Sequence, residues 1–159
     1  MFEINEYVVH NLYGVLQIND IEEMEFDGVK NKYYVCHALF WSNQGTTIKI
    51  PIKKSDSLHK LLTKKEANDL IQTLPTLKIE WIPESKHRIQ KYEEILMNSD
   101  INDLCASLRV CHQHRDTAKL TTKDKEFIEQ AERIVYGVLA VSLGIDYDSV
   151  EEYIDKSLA

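Results

Sequence analysis

Four residues with metal-binding chemistry lie close together in the second half of the sequence: Cys105, Cys111, His112 and His114. Thiolates and imidazoles are common zinc ligands in proteins. On a single helix, at about 100° per residue, Cys105 and His112 share one side. Cys111 lies well round the helix from them, and His114 lies opposite. Because side chains so spread cannot converge on one ion, we expect two packed cysteines and two exposed histidines rather than a metal site.

Other patterns typical of enzymes are missing from the sequence. With five glycines, the chain has neither a glycine-rich phosphate loop nor a nucleophile elbow around a serine. Adjacent carboxylates at 22–23 and 93–94 point apart on a strand or a helix, as they do on solvated faces. The sequence therefore predicts a protein that is not an enzyme and has no cofactor and no small-molecule substrate. A metal-dependent enzyme built on the Cys/His cluster remains an alternative.

Basic residues form a more informative pattern, because they gather at two places. The first group opens the second predicted helix, and the second surrounds the junction of the third and fourth helices: Lys86, His87, Arg88 and Lys91; Arg109, Arg115, Lys119, Lys123 and Lys125. If the helices pack antiparallel, the two groups meet and make one positive face. The alternative is ordinary surface charge, paired with Glu84, Glu126 and Glu129. Trp81, just before this face, is either a half-buried anchor or a residue that stacks on or wedges between bases.

The overall composition limits what such a face can bind. The chain has 159 residues, is 43% hydrophobic and carries a formal net charge of -7. It can bury a core in one or two domains, but its charge argues against indiscriminate nucleic-acid binding. Three irregularly spaced cysteines predict reduced thiols in the core. No segment resembles a signal peptide or a membrane span, so we expect a cytoplasmic protein without a membrane partner.

Residues 1–56 predict a small, strongly bent β-sheet or half-open barrel. Short apolar runs alternate with turn signals at 11–14, at Asp27-Gly28 and at 42–45. The run at 46–50 follows the last of these turns and closes at Pro51. An exposed strand of this kind offers unpaired N–H and C=O groups to a partner strand.

Residues 57–159 predict an all-helical domain of about five helices. The starts carry capping signals at 63–66, at Pro83, at Ser99 or Asp100, at 121–124 and at 148–151. The first helix is expected to stop at Pro75, the second near Asn98 and the fourth at Gly144. The predicted fold class is therefore α+β, with one β domain followed by one helical domain.

Several motifs follow one another through nearly the whole chain. They are MFEINEYVVHNLYGV at 1–15, YYV at 33–35, TTIKIP at 46–51, ILMNSD at 95–100, LTTKD at 120–124 and AERIVYGVLAVSLGI at 131–145. Their order and spacing resemble the CarD family of bacterial transcription regulators. In the first motif, Phe2, Val8, Val9, Gly14 and Val15 match the family's opening, whereas Asn5, Glu6, His10, Asn11 and Tyr13 depart from it.

The resemblance implies a function for each domain. The β domain would be Tudor-like and bind the β-subunit lobe of RNA polymerase, similar to the polymerase-interaction module of transcription-repair coupling factor. Its edge strand, at 46–50, would pair with a strand of the lobe. The helical domain would reach promoter DNA at the upstream edge of the melted region.

The resemblance also implies residues for the polymerase contact. These are Met24, Thr47, Ile48, Lys49 and Ile50. Backbone pairing would supply affinity, and the side chains of Ile48 and Lys49 would supply specificity. Lys49 matches a basic position that relatives use in this contact. Met24 replaces another basic position, so we expect one ion pair of the relatives to be missing.

The expected DNA contact rests on Trp81, Ser85, Lys86, Arg88 and Lys125. Arg88 and Lys125 match basic DNA-facing positions of characterised relatives. Ser85 stands where better-studied members carry a tryptophan that wedges into the minor groove, and Trp81 lies four residues earlier. Because a serine can only hydrogen bond, we expect phosphate contacts to dominate, with Trp81 as a candidate substitute for the wedge.

The expected function is a non-enzymatic transcription regulator that docks on RNA polymerase and biases the stability of the open promoter complex. An adaptor that docks on the polymerase without touching DNA is the first alternative. The metal-dependent enzyme is the second.

Overall fold

The computed structural model describes residues 1–40, 47–77, 79–98, 100–116 and 119–159. The chain divides into two compact units, a sheet unit at 1–61 and a helical unit at 62–159. The first holds a five-stranded antiparallel sheet and the second holds α-helices, so the predicted α+β class is confirmed. The predicted turn at 42–45 and the strand residue Thr46 lie outside the described residues.

The sheet unit contains five strands in the part of the chain that the structure describes. They are β1 (Tyr7–His10), β2 (Gly14–Phe26), β3 (Val29–Ala38), β4 (Thr47–Pro51) and β5 (Leu58–Lys60). Their order across the sheet is β4-β3-β2-β1-β5. A 3₁₀ turn (Ile52–Ser57) leads from β4 to β5, which returns to pair with β1 at the far edge.

Two turns take the backbone into the left-handed region, as the sequence predicts. Gly14 has φ 72°, and the β2–β3 hairpin turns through Asp27 at φ 51° and Gly28 at φ 77°. Two successive positive φ values are typical of the two-residue turns that match the twist of a hairpin. The predicted turn at Asp27-Gly28 is therefore confirmed and joins the two strands of a hairpin.

One face of the sheet forms a core of its own. Its buried members are Val8, Leu16, Ile18, Tyr34, Cys36, Ala38, Ile50 and Leu58. Ile48 is partly buried and packs against this core, whereas Thr47 and Lys49 are exposed. Because side chains alternate along a strand, β4 directs its two isoleucines inward and Thr47 and Lys49 outward.

The helical unit contains five α-helices within the described ranges. They are α1 (Lys64–Thr73), α2 (Ser85–Asn98), α3 (Ile101–His114), α4 (Thr122–Leu143) and α5 (Val150–Leu158). None of the helices described is both long and apolar enough to cross a membrane.

Most predicted helix ends are confirmed. Thr63 and Glu66 form a capping box at α1, and Thr121 and Asp124 form a second one at α4. Asp100 caps α3, and Gly144 ends α4 at φ 69°. The capping signal at 148–151 is not used as expected, because the Ser149 side chain makes no capping hydrogen bond and a 3₁₀ turn (Tyr147–Ser149) leads into α5.

Candidate functional site

The β4 strand lies at one edge of the sheet. Its one partner strand in the described part of the chain is β3, with Lys49 opposite Val35 and Ile50 opposite Tyr34. The other side of β4 therefore presents backbone N–H and C=O groups that an added strand can pair with. An exposed edge strand at this position agrees with the sequence prediction.

The side chains of β4 divide between the core and the surface. Ile50 is 6% exposed, and Ile48 is partly buried against the same core, so both side chains point away from the face that carries Thr47 and Lys49. That Ile48 supplies specificity stays a prediction, for the part of its side chain that the core leaves exposed. Thr47 and Lys49 are the exposed side chains of the strand, while the backbone groups of both isoleucines remain part of its edge.

Lys49 meets two side chains of β2 across the sheet. Its Nζ lies 3.3 Å from Glu22 Oε2 and 3.7 Å from Met24 Sδ. The structure thus brings together Met24 and Lys49, which the resemblance assigned to one contact. Glu22 was missed, although the alternation of β2 and the sheet register together place it on this face. Since Lys49 and Glu22 are 42% and 44% exposed, their ion pair contributes little stability.

The starts of α2 and α4 meet through a buried ion pair. Arg88 donates from Nε and Nη2 to the two carboxylate oxygens of Asp124, each at 2.7 Å. Its Nη1 donates to the carbonyl oxygens of Ile82 and Pro83 at 2.9 and 3.3 Å. Arg88 is 5% exposed and Asp124 is 0% exposed. The predicted meeting of these two helix starts is confirmed.

This geometry corrects the role expected for Arg88. All three guanidinium nitrogens donate within the helical unit, and the side chain does not reach the surface. A phosphate would have to displace Asp124, which would be left as a buried, unpaired carboxylate. Arg88 therefore positions α2 against α4 and is not offered to DNA in this conformation.

Asp124 accepts from two further residues besides Arg88. The hydroxyl of Tyr92 donates at 2.6 Å, and Thr121 donates from its backbone N–H at 2.7 Å and from its hydroxyl at 2.9 Å. Burial alone would raise the pKa of Asp124, but the hydrogen bonds from Arg88, Tyr92 and Thr121 outweigh it and hold the pKa below its usual value. The carboxylate is the hub of this buried network.

Trp81 also packs inside the helical unit. Its ring stacks on His114 with centroids 4.7 Å apart and planes 5° apart, and Arg88 Cζ lies 4.4 Å from the ring centroid. Of the two roles left open for Trp81, this geometry corresponds to the half-buried anchor. A wedge into DNA would require it to leave both contacts.

The Cys/His cluster does not assemble into a ligand set. The sulfur of Cys111 lies 3.4 Å from the Tyr92 hydroxyl, whereas His112 bonds Glu132 at 2.8 Å. Cys105 and Cys111 are buried, as predicted, and burial raises the pKa of the Cys105 thiol to about 12. The histidines are not exposed as expected, because His112 is 18% exposed and His114 is covered by Trp81. Across the described ranges, no group of three or more potential ligands could hold a metal ion.

Most of the remaining basic residues that the structure describes in the helical unit lie at its surface. Several of them form ion pairs with residues three or four positions away in the chain: His87 with Glu84, Lys91 with Glu94, Lys123 with Glu126, and Arg133 with Glu129. Ser85, Lys86 and Lys125 are exposed at the starts of α2 and α4. Within the described residues, Lys86 and Lys125 have no ion pair. They are two of the cations that this part of the surface leaves available.

One comparison with known proteins matches the segment that forms the sheet unit. Residues 2–62 match the family model described as the CarD-like/TRCF RID domain, an RNA polymerase-interaction domain. The matched segment agrees with the sheet unit to within one residue at each end, and the helical unit beyond Leu62 lies outside it. The match supports a family of polymerase-interacting regulatory domains that is not a known enzyme family. No curated protein matches the chain.

Proposed function

We propose that this protein is a non-enzymatic transcription regulator that docks on the β-subunit lobe of RNA polymerase by adding a strand of the lobe to β4. The observation that carries the proposal is the place of β4 at the edge of the sheet, within the segment that matches a polymerase-interaction domain. An added strand satisfies the row of backbone groups along that edge. Thr47 and Lys49 would then select the partner.

Hydrogen exchange tests this docking directly. The amides of β4 should gain protection when the isolated β lobe is added to the full chain. The amides of β5, at the opposite edge of the same sheet, serve as the internal control and should not change. Protection of neither edge, or equal protection of both, would contradict docking at β4.

The finer part of the proposal is a contact between the helical unit and promoter DNA near the upstream edge of the bubble. Lys86 and Lys125 would carry it, since the Arg88–Asp124 pair holds together the two helix starts from which they project. The positive ends of the two helix dipoles add to the attraction for phosphate. Because the net charge of the chain is -7, the contact depends on the raised local concentration that polymerase docking provides.

A polymerase-docking adaptor without DNA contact remains the second candidate. The burial of Arg88 and the packing of Trp81 favour it, because both residues were expected to face DNA. The adaptor needs nothing from the helical unit beyond its fold.

The lifetime of the open promoter complex separates the two candidates. We expect the protein to change this lifetime most at low salt, since phosphate contacts weaken as salt rises. The double variant Lys86→Gln/Lys125→Gln should lose most of the effect. Its control, Lys64→Gln/Lys65→Gln, removes the same charge from the start of α1 in the same unit. A protein that protects β4 against exchange but leaves the lifetime unchanged at low salt would be the adaptor.

A further inference from the structure

The β2–β3 hairpin continues beyond the part of the sheet that neighbouring strands cover. Across the described residues, β1 pairs with β2 only at 14–17, and β4 pairs with β3 only at 33–37. The hairpin therefore extends as a two-stranded ribbon that ends at Phe26 and Val29, directly opposite each other across the Asp27-Gly28 turn. Phe26 is 58% exposed and Val29 is 55% exposed.

One face of this ribbon is continuous with the outer face of β4. The register of β2 against β3 shifts between Ile18 and Asp20, which brings Glu22, Met24 and Phe26 to the face away from the core. Lys49 contacts Glu22 and Met24 on this same face. The ribbon face, as we name it, consists of these β2 residues and their β3 partners Val29, Asn31 and Tyr33.

Charge is concentrated on the opposite face of the ribbon. There Glu23 lies opposite Lys32, and Glu25 lies opposite Lys30. On the ribbon face, the cation within reach is Lys49, which Glu22 already binds at 3.3 Å. Asp27 adds a carboxylate at the tip.

This distribution determines what the tip can bind. Phosphates of a nucleic acid, or of an anionic membrane surface, need positive charge that the tip does not offer. An aromatic ring and a cross-strand valine, both more than half exposed, instead suit an apolar recess in a protein surface. The continuity of the ribbon face with β4 indicates that the same partner presents this recess.

We infer that Phe26 and Val29 form a second contact with the polymerase lobe by inserting into an apolar recess beyond the strand that pairs with β4. Val29 is four residues along β3 from Tyr33, the last residue that β4 covers. At about 3.3 Å per residue, the recess lies roughly 13 Å past the end of the added strand. The inference rests on the proposed docking at β4.

The affinity of the full chain for the isolated β lobe tests the inference. Phe26→Ala should weaken binding at least tenfold, and Val29→Ala should weaken it severalfold. Leu12→Ala is the matched control, since Leu12 is an apolar residue that is 47% exposed at another turn of the sheet unit, and it should leave the affinity unchanged. The thermal unfolding midpoints of the variants show that each remains folded.

The outcomes separate this inference from the docking proposal. Wild-type binding that Phe26→Ala does not weaken would overturn the tip contact alone. Absence of wild-type binding to the lobe would overturn both. Self-association that Phe26→Ala abolishes, or binding to vesicles of anionic lipid, would assign the tip to a second copy of the chain or to a membrane and overturn the inference.

Discussion

The two units differ in how far their ion-paired cations are exposed to solvent. In the helical unit, the Arg88 side chain is 6% exposed and holds Asp124 at 2.7 Å. In the sheet unit, the Lys49 side chain is 42% exposed and lies 3.3 Å from Glu22. The resemblance assigned both cations to contacts with partners. Burial makes the first pair part of the fold, whereas exposure leaves the second pair free to exchange its partner.

The same contrast extends to the aromatic residues near each cation. Trp81 is held between His114 and Arg88 within the helical unit, while Phe26 stands at the exposed end of a hairpin. In the helical unit the cation and the aromatic ring pack inside the unit, whereas in the sheet unit both side chains are exposed to solvent. We therefore expect substitutions of Arg88, Asp124 and Trp81 to change stability, and substitutions of Lys49 and Phe26 to change binding.

The largest expected effect follows from removing the charge of Asp124. Asp124→Asn leaves the Arg88 guanidinium buried without a counter-ion, which typically costs about 3–5 kcal/mol. Chemical denaturation measures the loss in the free energy of unfolding. Glu126→Gln is the control, because it removes a carboxylate of the same helix whose ion pair with Lys123 is exposed and worth less than about 1 kcal/mol.

A double substitution sharpens the same test. Arg88→Met/Asp124→Leu removes both buried charges and should be more stable than Asp124→Asn. It should remain about 2–4 kcal/mol below the wild type, since the buried Tyr92 hydroxyl and the Thr121 cap both lose the carboxylate that accepts their hydrogen bonds. An Asp124→Asn variant as stable as Glu126→Gln would mean that the Arg88–Asp124 pair does not stabilise the fold. The contrast between a structural ion pair in the helical unit and an exposed one in the sheet unit would then fail.

Acid should weaken the helical unit through the same carboxylate. Because the folded-state pKa of Asp124 is lowered, its contribution is complete above the unfolded pKa of about 4 and is lost as the pH falls below that value. We expect a loss of roughly 2 kcal/mol, measured by hydrogen exchange of the α4 amides. Hydrogen bonds from Thr63 also lower the pKa of Glu66, so Glu66 adds its own loss of stability in acid. The contribution of Asp124 is therefore the difference between the acid-dependent losses of the wild type and of Asp124→Asn. Equal slopes in the two proteins would exclude Asp124 as a source of the loss.

Truncating Trp81 should lower stability by about 1–2 kcal/mol, because the ring loses its stack on His114 and its contact with Arg88. Trp81→Phe is the control, since it keeps a ring in the same place and should lose less. Thermal unfolding measures both. A Trp81→Ala variant of unchanged stability that nevertheless shortens the lifetime of the open promoter complex would identify Trp81 as a free wedge and break the contrast.

Reversing the charge of Lys49 should act on binding rather than on folding. We expect Lys49→Glu to weaken binding to the β lobe about tenfold, which corresponds to about 1.4 kcal/mol. Its effect on stability should stay below about 1 kcal/mol, since the residue is exposed. The control Lys60→Glu makes the same change on β5, at the opposite edge of the sheet. Unchanged capture of the lobe by Lys49→Glu would argue against an interface at β4.

The sequence predicts the elements of this fold better than the orientation of its side chains. The capping box at Thr63, the hairpin turn at Asp27-Gly28 and the stop at Gly144 are local signals, and the structure confirms them. Whether Arg88 faces solvent depends on Asp124, which is 36 residues away and is brought to it only by helix packing. Spacing along one helix does not contain that information.

Glu22 beside Lys49 illustrates the same limit in the sheet unit. The two residues lie on strands separated by β3, so their contact depends on the register of two strand pairings. Strict alternation from Ile18 would place Glu22 on the core face of β2. The register shift between Ile18 and Asp20 moves Glu22 to the opposite face, where Lys49 lies. An ion pair across three strands therefore follows from the folded sheet and not from the motif.

The smallest expected effect concerns the basic position that Met24 replaces. Met24→Arg adds a guanidinium to the ribbon face, where Lys49 already lies 3.7 Å from the Met24 sulfur and shares the neighbourhood of Glu22. Glu22 can neutralise one of the two cations, so the other becomes available to a carboxylate of the lobe. We expect binding to tighten two- to fivefold, about 0.4–1 kcal/mol, and to depend more steeply on salt.

Met97→Arg adds the same charge to an exposed position of α2 and is the control. Weaker binding by Met24→Arg would mean that the lobe meets this face with cations or apolar groups, and that the sheet unit uses Lys49 chiefly to hold Glu22.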